Sequence, residues 1–185
     1  VRPPDRRAGD APAPRTEVGD PPAAAAARPP PQDLLVRLYA LPPAPPAVPG
    51  VTLRRPIGPE HGLVADWVAA RFGPGWASEA GVALGQRPVT LFVAVEGGAP
   101  LGFACYDATA RGLFGPIGVA EAGRGRGVGA ALLHATLDDM RRAGYAYAVV
   151  GAAGPVDFFA RVAGAVPIPG SWPGLYAGLM RPGAG

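Results

Sequence analysis

The sequence contains no lysine and no asparagine, a single cysteine, two histidines and very little isoleucine. Each shortage removes a class of chemistry. A Walker phosphate loop ends in Gly-Lys-Ser/Thr, so a chain without lysine cannot hold one. One cysteine permits no internal disulfide, which agrees with a reducing, cytoplasmic setting. Two histidines and one cysteine at unrelated spacings do not form a metal site. No apolar run approaches the ~20 residues of a membrane span. Residues 1–7 are followed by no apolar core, so no signal peptide is expected, and the chain does not begin with Met. A basic run is missing as well. Arginine supplies all 17 Lys+Arg positions but is scattered, and the formal charge is only +3 despite a sequence pI of about 9.5. Nucleic acid is therefore not an expected partner. The wealth of Ala, Gly, Pro and Arg reads as GC-rich coding bias and is discounted as a functional signal.

What is present reads as one α/β domain behind a tail. Residues 1–32 are rich in Pro and Ala with charges of both signs, a composition expected to be disordered. Residues 33–50 hold an apolar island, Leu34-Leu35-Val36-Arg37-Leu38-Tyr39, and a Pro-rich linker. The island is expected to dock on the domain as a strand or short helix, with a partner-binding segment as the alternative. The domain is expected over 51–182. Strands are expected at 51–57, 89–96, 101–108, 112–119 and 145–150, with weak ones at 165–168 and 175–180. Helices are expected at 59–72, 76–86, 130–142 and 155–162. Gly97-Gly98 signals a hairpin. A long helix followed by a strand returning parallel to 112–119 makes the sheet mixed but mostly antiparallel, with helices flanking it.

The richest segment is Arg124-Gly125-Arg126-Gly127-Val128-Gly129-Ala130, between an apolar strand and the long helix. Its glycines leave main-chain N–H groups open to a ligand at a helix start. The helix dipole and two arginines add positive charge, which makes a cradle for a pyrophosphate. The string also fits the dinucleotide fingerprint G-x-G-x-x-[GA]. That motif, however, needs an early strand–turn–helix unit and an acid about 20 residues on. The strand at 145–150 carries no acid, and Asp157 comes late.

Arg124-x-x-Gly127-x-Gly129, in its strand–helix–strand setting, resembles the [QR]-x-x-G-x-[GA] signature of the GCN5-related N-acetyltransferases. The similarity spans roughly 51–180. Residues 102–107 and 154–159 look like a bacterial stand-alone branch. The resemblance implies acetyl-coenzyme A as cosubstrate, its pyrophosphate on residues 124–130, and Phe159 beside it. It further implies that strands 112–119 and 145–150 splay apart, so that Ile117, Gly118 and Val119 meet the pantetheine arm. Gly118 would permit a close approach there, and the Val119 N–H would serve a developing oxyanion. Many members carry a tyrosine acid in the helix after the splayed strand; here the matching pair is Phe158-Phe159. Tyr176, Tyr106 or a water is the expected substitute.

Asp107 ranks first as general base, because it ends a strand where the acceptor cleft should open. Glu121 precedes the phosphate loop and either takes part in catalysis or balances Arg124 or Arg126. Glu79 either holds a cationic acceptor or makes an exposed salt bridge. Asp157 reads as a first-turn helix residue, His134 and His61 as solvated, and Cys105 as a small buried apolar residue. The leading functional reading is direct acetyl transfer to the amine of a small molecule or amino sugar, by a monomer or homodimer with no membrane partner. A non-catalytic acyl-coenzyme A sensor is the alternative, and acetylation of a protein amine ranks third.

Overall fold

The computed structural model describes residues 31–180. The expected disordered tail lies outside them, apart from its last two residues. Eleven helices and strands follow in chain order: β1 Gln32–Arg37, β2 Thr52–Arg54, α1 His61–Phe72, α2 Pro74–Gly85, β3 Leu91–Glu96, β4 Ala99–Tyr106, β5 Leu113–Val119, α3 Val128–Arg142, β6 Tyr147–Ala153, α4 Val156–Ala163 and β7 Val166–Pro167. The strands form a single sheet in the order β2-β3-β4-β5-β6-β1-β7. Every neighbouring pair is antiparallel except β5 and β6. Among the described residues no helix is long and apolar enough to cross a membrane.

The apolar island becomes β1, an interior strand between β6 and β7. Leu34 and Val36 alternate into the core and are fully buried, the period-two pattern of a strand with one covered face. The strand expected at 175–180 does not form. Residues 174–176 make a single 3-10 turn, and Leu179 and Met180 are exposed. The physical reason is tertiary: β1 already occupies the hydrogen-bonding edge of β6, pairing Leu34 with Val150 and Val36 with Ala148.

Alternation along β4 divides the core. Ala104 and Tyr106 pack toward Leu132, Leu133, Leu137 and Met140 of α3. Phe103 and Cys105 pack toward Val64, Trp67 and Val68 of α1 and Ala80, Ala83 and Leu84 of α2. The sheet is thus covered on both faces. Gly97 and Gly98, both at positive φ (56° and 83°), close the β3–β4 hairpin with the backbone that a tight two-residue turn needs.

Gly118 has a packing role. It is buried, and a Cβ there would lie 2.8 Å from the Phe72 ring and 3.0 Å from that of Phe103. The missing side chain admits these aromatics on the α1/α2 face, and Gly118 is not among the residues lining the cleft described below. Gly118→Val should therefore destabilise the fold by about 1–3 kcal/mol through overpacking, measured as a lower Tm. An unchanged Tm would refute this account of the α1/α2 core.

Candidate active site

β5 and β6 pair only at Leu113–Val149 and Phe114–Val150. Beyond that point they separate, and a cleft of about 710 Å³ opens between them, within the usual range for a small-molecule site. One wall is the free edge of β5. Ala120 N donates to Leu101 O at 2.8 Å, and antiparallel pairs alternate between bonded and non-bonded. The bonded pair two residues back is thus Phe103–Gly118. The N–H and C=O groups of Ile117 and Val119 consequently point away from β4, toward the opening. Consistent with this, Val119 O accepts a hydrogen bond from Arg124 Nε at 3.4 Å.

At one end of the cleft stands the glycine loop. Gly127 is the residue before α3 and has φ 87° and ψ −2°, a left-handed conformation that favours glycine. No side chain caps the helix, and its first bond is Ala131 N to Gly127 O at 3.0 Å. The N–H groups of Val128, Gly129 and Ala130 are left over, and all three residues line the cleft with Arg124, Gly125 and Gly127. Arg126 does not line it. Its guanidinium pairs with Glu96 at 2.5 Å, a bond that holds the Glu96 carboxyl below its ordinary range. Neither arginine pairs with the exposed Glu121, whose main-chain oxygen accepts from Arg124 N. Phe158 and Phe159 form part of the wall, their rings 5.2 Å apart between centroids; neither carries a proton to give.

The other end is built by Trp76 and Glu79 of α2, Thr109 and Tyr176. Thr109 Oγ1 donates to a Glu79 carboxylate oxygen. The Tyr176 hydroxyl sits against Gly151 of β6, where a Cβ would collide with it. Burial raises the Tyr176 pKa above its ordinary value, the negative charges of Glu79 and Asp33 raise it further, and the Thr109 hydroxyl acts in the opposite sense. Tyr106 is engaged elsewhere, donating to Asp139 Oδ2 at 2.9 Å. The same oxygen receives Arg55 Nη2 at 2.5 Å.

Asp107 is outside the cleft lining. Its φ is 55°; Oδ1 accepts from Gly112 N at 2.7 Å and Oδ2 from the Tyr145 hydroxyl at 2.6 Å. Both oxygens therefore hold the turn between β4 and β5. Cys105 is buried, with its thiol pKa pushed up by desolvation, and so stays protonated. His134 shares a hydrogen bond with Pro42 O at 2.9 Å; because a carbonyl only accepts, Nε2 carries the proton.

Sequence reasoning had not singled out Thr109, Arg161, Gly151 or Asp33. The first three line the cleft. Asp33 stands behind it on β1, where Oδ1 accepts from Ala152 N at 2.8 Å and its own N–H donates to Ser171 Oγ at 2.8 Å. An acid directly before the apolar run Leu34-Leu35-Val36 was the signal available for it.

Residues 63–164 match the model of the acetyltransferase (GNAT) family. None of the curated proteins matches the chain. Among solved structures, a GCN5-related N-acetyltransferase from Sphaerobacter thermophilus is similar at 26% identity and TM-score 0.61, over 75% of this chain and 49% of that one. One from Kribbella flavida is similar at 20% identity and TM-score 0.53, over 75% and 54%. A glucosamine N-acetyltransferase region in a fungal multi-domain β-N-acetylglucosaminidase matches in fold at 18% identity and TM-score 0.61, over 74% and 19%. The chain thus spans about half the length of the bacterial proteins and a fifth of the fungal one. The family match, a sheet that parts between its parallel strands, and a glycine loop at the head of α3 agree, and the chain belongs to the GNAT acetyltransferase family.

Proposed function

We propose that this chain is an acetyl-coenzyme A-dependent N-acetyltransferase acting on a small-molecule amine. The observation that carries the reading is the unpaired β5 edge leading directly to the uncapped start of α3. The residues fit the cosubstrate. The amides of Val128, Gly129 and Ala130 and the positive end of α3 suit a pyrophosphate. Arg124 and Arg161 supply charge, and Ile117 and Val119 offer main-chain partners to the amide groups of a pantetheine arm. When bound, acetyl-coenzyme A supplies an acetyl group activated as a thioester.

In the reaction an ammonium and a thioester give an amide, a free thiol and one proton. The C–N bond forms as the C–S bond breaks. The protein's part is to position the reactants and handle protons. Glu79 takes a proton from the ammonium, which is mostly charged at pH 7. The Val119 N–H donates to an oxygen placed against the β5 edge. Tyr176 Oη gives a proton to the leaving sulfur and regains one from the second proton that the attacking nitrogen sheds as it becomes an amide. Its raised pKa keeps that proton in place through neutral and mildly alkaline pH. Asp107 and Glu121 are assigned structural parts, the first in the turn between β4 and β5 and the second in the 3-10 turn Glu121–Gly123.

Tyr176→Phe tests the proton donor. General acid catalysis contributes about 10²–10⁴-fold, so kcat should fall at least ~100-fold while the coenzyme A Kd holds. Calorimetry and thiol-release kinetics read the two quantities separately. Wild-type kcat in the variant would remove Tyr176 from the mechanism. Cofactor binding without thiol release from any amine would favour the sensor alternative, which the Phe158-Phe159 pair keeps in view.

A further inference from the structure

Resting on that reading, we propose that the acceptor is a compact amine with one positive charge and a flat apolar body, its ammonium held by Glu79 and its body laid against Trp76.

Trp76 and Glu79 are three residues apart on α2, so they share one face of the helix, and both line the cleft. Glu79 is the sole carboxylate among the lining residues. It is half-buried, and among the described residues it forms no salt bridge. Its side-chain partner is the Thr109 hydroxyl. A carboxylate in a largely apolar cleft with no cation beside it lacks a counter-charge, and its field reaches both the Tyr176 hydroxyl and the Cys105 thiol. An incoming ammonium would supply what is missing. Trp76 is held at a fixed tilt by Phe72, 5.5 Å away between ring centroids, yet keeps 38% of its surface exposed. A rigid open indole beside a carboxylate suits a cation joined to a flat body.

The same inventory argues against the other amine classes. A polyamine needs several acids, and the cleft offers one. An amino acid brings a carboxylate that Glu79 repels, while the cleft arginines, Arg124 and Arg161, lie on the loop before α3 and on α4 rather than beside α2. An amino sugar brings several hydroxyls to an acceptor end whose own hydroxyls belong to Thr109, already donating to Glu79, and Tyr176. Leaving hydroxyls unpaired in a closed site is strongly disfavoured.

Thiol release from acetyl-coenzyme A, with 2-phenylethylamine, spermidine, phenylalanine and glucosamine as acceptors, tests this in wild type, Glu79→Gln and Trp76→Ala. The expected wild-type order puts 2-phenylethylamine at least tenfold ahead in kcat/KM. Glu79→Gln should lower that value about 30- to 100-fold with a higher KM. Trp76→Ala should raise KM, and both variants should keep the coenzyme A Kd within twofold. A preference for glucosamine, spermidine or phenylalanine, or indifference to Glu79→Gln, overturns the acceptor assignment and leaves the acetyltransferase reading standing. Silence with every amine, despite bound cofactor, overturns both.

Discussion

Gly127→Val should weaken coenzyme A binding at least ~100-fold, the largest loss expected from any single change in the cradle. Space is not the reason. A Cβ at Gly127 would lie 3.7 Å from Val48 Cγ2, an ordinary contact. The backbone is the reason: φ is 87°, and a β-branched residue held there costs about 1–3 kcal/mol. The chain escapes that cost by turning the first residues of α3 out of helical geometry, which disperses the converging amides of Val128, Gly129 and Ala130. Two controls separate main-chain from side-chain recognition. Arg124→Ala removes one cleft charge and should cost about tenfold, or ~1.4 kcal/mol. Arg126→Ala should cost less, because that guanidinium already faces Glu96 and exposed pairs contribute little. Calorimetry at one fixed ionic strength gives all three values. A folded Gly127→Val protein with wild-type affinity would show that the pyrophosphate is held elsewhere. An Arg126 effect exceeding that of Gly127 would mean that side-chain charge, rather than the backbone, dominates the cradle.

The glycine loop at the head of α3 was legible because its determinants are contiguous: glycines, arginines and a helix start fall within seven residues. The mixed sheet was legible for a related reason, since period-two strands and a strongly patterned α3 identify themselves locally. The sheet's far side was not. β1 belongs beside β6, more than a hundred residues away, and no local pattern distinguishes an interior strand from a docked segment. The expected strand at 175–180 failed on the same point, because the edge of β6 away from β5 is already held by β1. The candidate proton donors posed the same difficulty. Tyr106 and Tyr176 look equivalent as residues. Only tertiary contacts send the first to Asp139 in the core and the second to the cleft wall. Asp107 looked promising because it ends a strand near the expected opening. Its two oxygens are claimed by partners five and thirty-eight positions further along the chain. Both Tyr176 and Asp33 also fall outside residues 63–164, the part that matches the family model.

Asp33→Ala should lower kcat about tenfold or more, although Asp33 is outside the cleft lining. Asp33 sits at the irregularity in β1 where the register against β6 shifts between Gln32 and Leu34. From there it joins two pieces of the site. Its carboxylate accepts from Ala152 N at 2.8 Å and so anchors a residue held at φ 45°, at the diverging end of β6. Its main chain grips the segment carrying Tyr176: N donates to Ser171 Oγ, and O accepts from Ile168 N, both at 2.8 Å. Removing the carboxylate leaves the Ala152 N–H without its partner, a loss of about 1–3 kcal/mol, and frees Gly151 to shift against the Tyr176 hydroxyl. The cradle at α3 is remote from these contacts, so the coenzyme A Kd should hold. Asp33→Asn separates geometry from charge. The amide keeps an oxygen for Ala152 and should restore most of kcat. It also removes one of the negative charges that raise the Tyr176 pKa, alongside Glu79. The Tyr176 proton is then lost at lower pH, so the alkaline decline of kcat should begin earlier in Asp33→Asn than in wild type. A merely structural aspartate would leave that limb where it was. A folded Asp33→Ala protein with wild-type kcat would sever β1 from the chemistry.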